Sequence, residues 1–169
     1  MQRGKLHDHI SFRGSVLSGV LLVVAVAGVI AVLTWYLYCP CDRTPGGYLL
    51  GTEVTEPVDD WTFANEVPLC QLQVQTGFLA HSINLNCMSS EGELFLSCSQ
   101  CDGKRWSTAA LENPDARLRA HDSVYPVTVT RVIDEATLDR AWIARATKIG
   151  RPANTPRREG WWSFKVATR

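Results

Sequence analysis

Cys70-Gln71-Leu72-Gln73-Val74-Gln75, followed at a short distance by Ile83-Asn84-Leu85-Asn86-Cys87, is the stretch on which the fold turns. Apolar and polar side chains alternate through both runs, the period-two signature of strands with one face buried and one free. Pairing them around a tip at Phe78 and Leu79 sets Val74 against Ile83, Leu72 against Leu85 and Cys70 against Cys87. A second turn, Ser89-Ser90-Glu91-Gly92, leads into residues 93–97, where Leu94, Leu96 and Cys98 continue the inner face. The pattern predicts a three-stranded antiparallel meander.

Working outward, Asp102 is placed to cap a short helix over residues 103–112, which Asn113-Pro114 stops. Residues 116–120 and 124–132 form a further strand pair across His121-Asp122-Ser123. Asp134 caps a longer helix whose stripe of Leu138, Ala141, Trp142 and Ile149 is interrupted by Arg145. After a basic loop over residues 151–160, Trp162, Phe164 and Val166 share one side of a last strand, with Trp161, Ser163 and Lys165 on the other. Some six strands and two helices predict a mainly β fold, a small barrel or curled sheet and not a doubly wound one.

Before this domain lies Val16–Tyr38, which has no charged side chain. As a helix it reaches roughly 35 Å, enough for a hydrocarbon core of about 30 Å. It ends in Trp35, Tyr36 and Tyr38, ring types that settle at membrane interfaces, and reads as an uncleaved anchor. Arg3, Lys5 and Arg13 precede it with only Asp8 opposing, while Asp42, Arg43, Glu53, Glu56, Asp59 and Asp60 follow it. By the preference of Lys and Arg for the cytoplasm, residues 1–15 form a cytoplasmic arm and the domain lies outside a single-pass membrane segment. Residues 39–58, rich in Gly, Pro and Thr, read as a linker to a domain over 59–169.

The net charge is zero, so the chain presents no basic field for nucleic acid. Six cysteines invite a redox or metal reading. Cys98-Ser99-Gln100-Cys101 has C-x-x-C spacing before a helix start, where a thiol becomes acidic, but the βαβ setting of thiol oxidoreductases is missing. Cys39, Cys41, Cys98 and Cys101 form a weak zinc set, and structural disulfides are the plainer account in an oxidising compartment, with Cys70 and Cys87 as the closest pair. No metal site is assigned. Motifs of serine hydrolases, zinc proteases and P-loop enzymes are absent from the sequence, and no catalytic residue is singled out.

The order of the Ser89-Ser90-Glu91-Gly92 turn, Leu94-Phe95-Leu96-Ser97, Cys98-Ser99-Gln100-Cys101-Asp102-Gly103-Lys104, a short helix, Asn113-Pro114 and Ala116-Arg117-Leu118-Arg119 resembles the flavin-binding split barrels. These are the pyridoxamine 5′-phosphate oxidase-like proteins and their deazaflavin-dependent nitroreductase relatives. The resemblance implies a split β-barrel, which would follow the transmembrane helix read above, a homodimer, and FMN or a deazaflavin as cofactor. It implies a cofactor phosphate at Ser97, Ser99, Lys104 and Arg105; Asn84 and Asn86, which share the polar face with Ser97 in the expected register, would then face the ring or the partner subunit. Where the oxidase pattern carries an arginine on the strand, this chain has His81, Asn84 and Asn86. An oxidoreductase moving hydride through the cofactor, on an unknown small-molecule substrate, is the activity so implied. The alternative is a non-catalytic, anchored binding or interaction module.

Overall fold

The computed structural model describes residues 8–169; Arg3 and Lys5, on which the expected orientation partly rests, lie outside them. The chain divides into two units, the second beginning at Leu37. The first is the body of helix α1 (Asp8–Tyr38). Val16–Tyr38 has a mean hydropathy of 2.9 and is long and apolar enough to cross a membrane. Leu21, Val24, Val29 and Leu33 are all more than half exposed, so this stretch has no buried stripe of the kind a soluble helix turns inward.

The second unit is a barrel. Its strands are β1 (Thr52–Glu53), β2 (Cys70–Thr76), β3 (Leu79–Ser90), β4 (Glu93–Ser99), β5 (Asp115–Ala120), β6 (Ser123–Arg131) and β7 (Trp161–Thr168). The order β6-β5-β2-β3-β4-β7 closes on itself because β7 also pairs with β6, giving a six-stranded barrel with β1 appended parallel to β6. Helices α2 (Arg105–Glu112) and α3 (Glu135–Lys148) and a 3₁₀ turn (Thr62–Asn65) complete it. The two domain helices agree with the sequence pattern; the 3₁₀ turn carries too short a pattern to read.

Alternation decides which side chains fill the barrel. Leu72, Val74, Leu85, Leu94, Leu96, Leu118, Val127 and Phe164 form one buried cluster, joined by Trp106 of α2 and Trp61 beside the 3₁₀ turn. On the outer face, Met88 of β3, Phe95 of β4 and Trp161 of β7 meet Ala141 and Trp142 of α3. The indoles of Trp142 and Trp161 cross edge to face at 5.1 Å. Asp134 caps α3 as expected, accepting from the Thr137 amide at 2.9 Å. Ile149 does not join the buried stripe: it is the residue after the helix and stays exposed.

The β2–β3 ladder differs from the expected pairing by two residues. Leu72 faces Ile83, Val74 faces His81 and Cys70 faces Leu85, because the turn is the tight pair Gly77 and Phe78. Gly77 has φ +63° and Phe78 does not take a positive φ, the type II′ geometry that matches strand twist in a two-residue hairpin. An even shift leaves every side chain on its expected face. Cys70 and Cys87 still bond, with Cα atoms 5.6 Å apart, but across the end of the ladder and not directly opposite.

Candidate functional site: a cleft where the barrel splits

Strand β3 changes partners partway along. Residues Leu79 to Leu85 pair with β2, whereas Asn86 to Ser90 pair with β4. Between the part of β3 that does not pair with β4 and the end of β4 the sheet parts, and a cleft of about 480 Å³ opens there. Ile83, Asn84, Leu85 and Asn86 form one wall, Ser97, Cys98 and Ser99 another, and Lys104 and Trp106 come from the start of α2.

The fourth side comes from the stretch expected to be a linker. Residues 39–50 are fastened to the barrel as a strap. Cys39 and Cys41 are disulfide-bonded, and Cys41 and Thr44 exchange backbone hydrogen bonds at 3.1 and 2.9 Å. Asn84 donates to the Asp42 carbonyl at 2.8 Å and Gln71 to the Pro40 carbonyl at 3.3 Å. Gly46 and Ser82 exchange two backbone bonds of 2.9 Å. A Cβ on Gly46 would stand 2.0 Å from the Cys39 carbonyl oxygen, so only glycine permits this approach. Farther along, Arg117 donates to the Leu49 carbonyl at 2.9 Å and to Glu53 at 3.0 Å, with buried Leu49 beneath. Asp42, Arg43, Thr44 and Pro45 thereby line the cleft.

Of the six residues expected to bind a cofactor, Asn84, Asn86, Ser97, Ser99 and Lys104 line this one cleft. Their depths differ. Ser97 is fully buried in the floor, its hydroxyl 3.9 Å from the Met88 sulfur. Ser99 is exposed, and its carbonyl accepts from the Lys104 ammonium at 3.0 Å, which leaves two ammonium protons free for a ligand. Arg105 is not brought to the cleft. It donates to the Thr76 hydroxyl at 2.7 Å and lines a separate hollow with Gln75, Thr108 and Glu112. The cause is the helix start: α2 begins at Arg105 with Lys104 as its cap, two residues later than expected, and Asp102 makes no cap bond. That delay points successive side chains to opposite sides of the helix terminus.

Sequence reading missed Arg43, the cation that the strap supplies. The signals were the C-x-C spacing of Cys39 and Cys41, which closes a tight loop, and the Gly46-Gly47 pair, which allows close backbone contact. Trp106 is 5% exposed and packs on Phe164 at 5.2 Å while also lining the cleft. His81 sits buried on β3; burial, and then the Arg105 charge, push its imidazole below the usual histidine range. Among the described residues no cluster of three or more His, Cys, Asp or Glu is arranged for a metal.

No protein-family profile and no curated protein matches the sequence. Solved structures do match the shape. A protein described as a pyridoxamine 5′-phosphate oxidase from Listeria innocua aligns over 63% of this chain and 88% of its own, with TM-score 0.51 and 11% identity. The chain is a split barrel of the pyridoxamine 5′-phosphate oxidase-like fold. ChuZ from Campylobacter jejuni aligns with this split barrel over 63% of the present chain and 50% of its own, with TM-score 0.50 and 10% identity. An F420-H2 dependent reductase aligns at TM-score 0.45 and 16% identity over 59% of this chain. At 10–11% identity, the property shared with the first two is the fold.

Proposed function

We propose that this chain is a membrane-anchored split barrel that binds FMN or a deazaflavin in the cleft at the β3–β4 parting and serves as an oxidoreductase, working as a homodimer. The observation that carries this reading is the donor set of the cleft. Lys104 and Arg43 offer cationic donors for a phosphate, Asn84 and Asn86 offer amides, and Leu69, Ile83 and Trp106 offer apolar walls. That mixture suits a ligand with a planar ring and an anionic tail. Arg43 supports the reading further, since it offers a guanidinium where the strand itself has none. The cofactor supplies hydride transfer when bound. The protein's share is to hold the anion, orient the ring against Asn84 and Asn86, and exclude water with the strap. Val16–Tyr38 anchors the barrel, with the N-terminal arm cytoplasmic and the barrel outside, following the charge flanks.

Titration of purified full-length protein with FMN and with a deazaflavin tests the cofactor. Lys104→Ala removes a charge-assisted bond of about 1.5–3 kcal/mol, so affinity should fall roughly ten- to a hundredfold. Equal affinities remove Lys104 from the site, and no binding by the wild type favours the non-catalytic module. For orientation, a reporter active only in the cytoplasm, fused after Arg169, should be silent; strong activity there reverses the topology.

A further inference from the structure

One feature of the cleft has no part in holding a cofactor: its wall contains a disulfide. Cys98 and Cys101 are bonded, with Cα atoms 5.7 Å apart. Cys98 is 8% exposed and lines the cleft, whereas Cys101 is fully buried behind it. Of the two residues, Cys98 borders the cleft and Cys101 does not. The Cys70–Cys87 pair is different, with both residues at 0% exposure in the barrel core.

The surroundings suit both redox states. The buried Cys101 sulfur lies 3.2 Å from the Cys98 carbonyl oxygen, an acceptor ready for a thiol proton once the disulfide opens. The Cys101 carbonyl is held separately, by the Lys104 amide at 3.2 Å and by the Ser107 hydroxyl. The Gln100 amide donates to the Gly160 carbonyl at 3.0 Å, so the loop between the sulfurs is tied to the barrel in either state. Lys104 lines the same cleft as Cys98, and a nearby cation stabilises a thiolate relative to the thiol.

We propose that Cys98–Cys101 is a redox-active pair that exchanges with dithiols and disulfides entering the cleft, Cys98 being the sulfur attacked. A substrate thiolate attacks the Cys98 sulfur, the Cys98–Cys101 bond breaks, and Cys101 leaves as a thiolate that takes up a proton. The substrate's second thiolate then attacks its own sulfur in the mixed disulfide and releases Cys98. The dithiol is oxidised by two electrons and the protein pair is reduced by two. A second disulfide compound, of the glutathione disulfide class, returns the pair to the oxidised state by the same steps in reverse. This chemistry needs no bound cofactor, so it stands or falls apart from flavin binding.

The test uses full-length protein in detergent, brief exposure to dithiothreitol, quenching with iodoacetamide, and peptide mass spectrometry of each cysteine pair. Cys98–Cys101 should open at least tenfold faster than Cys70–Cys87 and close again on addition of glutathione disulfide; equal rates overturn the proposal. Cys101→Ser treated with glutathione disulfide should carry one glutathione on Cys98, while Cys98→Ser should carry none on Cys101; equal labelling overturns the assigned direction of attack. Oxidation of a dithiol peptide by glutathione disulfide should be accelerated by wild type and by a Cys39→Ser, Cys41→Ser double variant, and lost in Cys98→Ser. Loss in the strap variant with retention in Cys98→Ser would assign the activity to the other pair and overturn the proposal. The wild-type kinetics keep the test decisive if a variant misfolds.

Discussion

The two halves of β3 belong to one continuous strand and end in opposite situations. From Asn86 to Ser90 the strand is paired to β4, filled inside by Cys87 and covered outside, at Met88, by α3. From Ile83 to Asn86 it borders the parting, where its outer face meets only the strap and the cleft. The outward side chains match: Met88 is apolar where α3 covers it, while Asn84 and Asn86 are polar where the cleft opens. Lys148 shows how firmly the sealed half is tied: its ammonium donates to the carbonyls of Ala64, Val67 and Cys87, joining α3 to the 3₁₀ segment and to β3. Burial pushes this amine below the usual lysine range.

That contrast predicts unequal responses to substitution. The largest should come from the sealed half: replacing both Cys70 and Cys87 by alanine removes a cross-link over a sequence separation of 17, worth about 3 kcal/mol. The Tm of the barrel should fall by roughly 10 °C, and the Cys98–Cys101 double variant, with a sequence separation of 3, should cost about 1.5 kcal/mol less because its loop is shorter. Thermal unfolding of the two side by side checks this, and an equal fall would abolish the distinction between core and cleft. Lys148→Met should follow, at about 2 kcal/mol, because three carbonyls lose their donor; chemical denaturation that finds no change would show that water replaces the amine.

A smaller effect should come from the open half. Gly46→Ala forces a Cβ against the Cys39 carbonyl and the Pro40 nitrogen, backbone atoms that cannot rotate away. The strap should detach at a cost of about 1 kcal/mol, seen as faster proteolysis within residues 39–46 with the barrel intact. Unchanged cleavage would mean that the strap is held elsewhere.

The smallest expected effect is a pH dependence. His81 has a folded-state pKa below its unfolded value of 6.5, so the unfolded chain takes up the proton first. Stability is therefore full above about 6.5 and declines as the pH falls toward the folded pKa. Asp60, Glu93 and Asp134 are also lowered, through hydrogen bonds from Thr62, Lys165 and Thr137 respectively; their loss begins only below about pH 4, near the unfolded carboxylate values. A Tm series between pH 7.5 and 5 isolates the histidine, and His81→Gln should flatten it. A slope that survives the substitution would belong to another group.

The sequence alone determined the strands, their inward and outward faces, the two domain helices and the apolar span, because each rests on a local period that tertiary packing had no cause to overturn. It also brought Cys70 near Cys87 and grouped Asn84, Asn86, Ser97, Ser99 and Lys104, since neighbouring strands and a short loop fix those positions within a few residues. Three things waited for the tertiary structure. The β2–β3 register moved by two because turn geometry, which alternation does not encode, selects Gly77 and Phe78 as the tip. Arg105 left the group because one late helix start turned it toward Thr76. Arg43 joined because residues far apart in the chain, Asn84 and Ser82 above all, provide the bonds that hold the strap. A period in the sequence reports which way a side chain faces along its own element; which other segment meets it there depends on contacts between distant residues, and only the closed barrel supplies those.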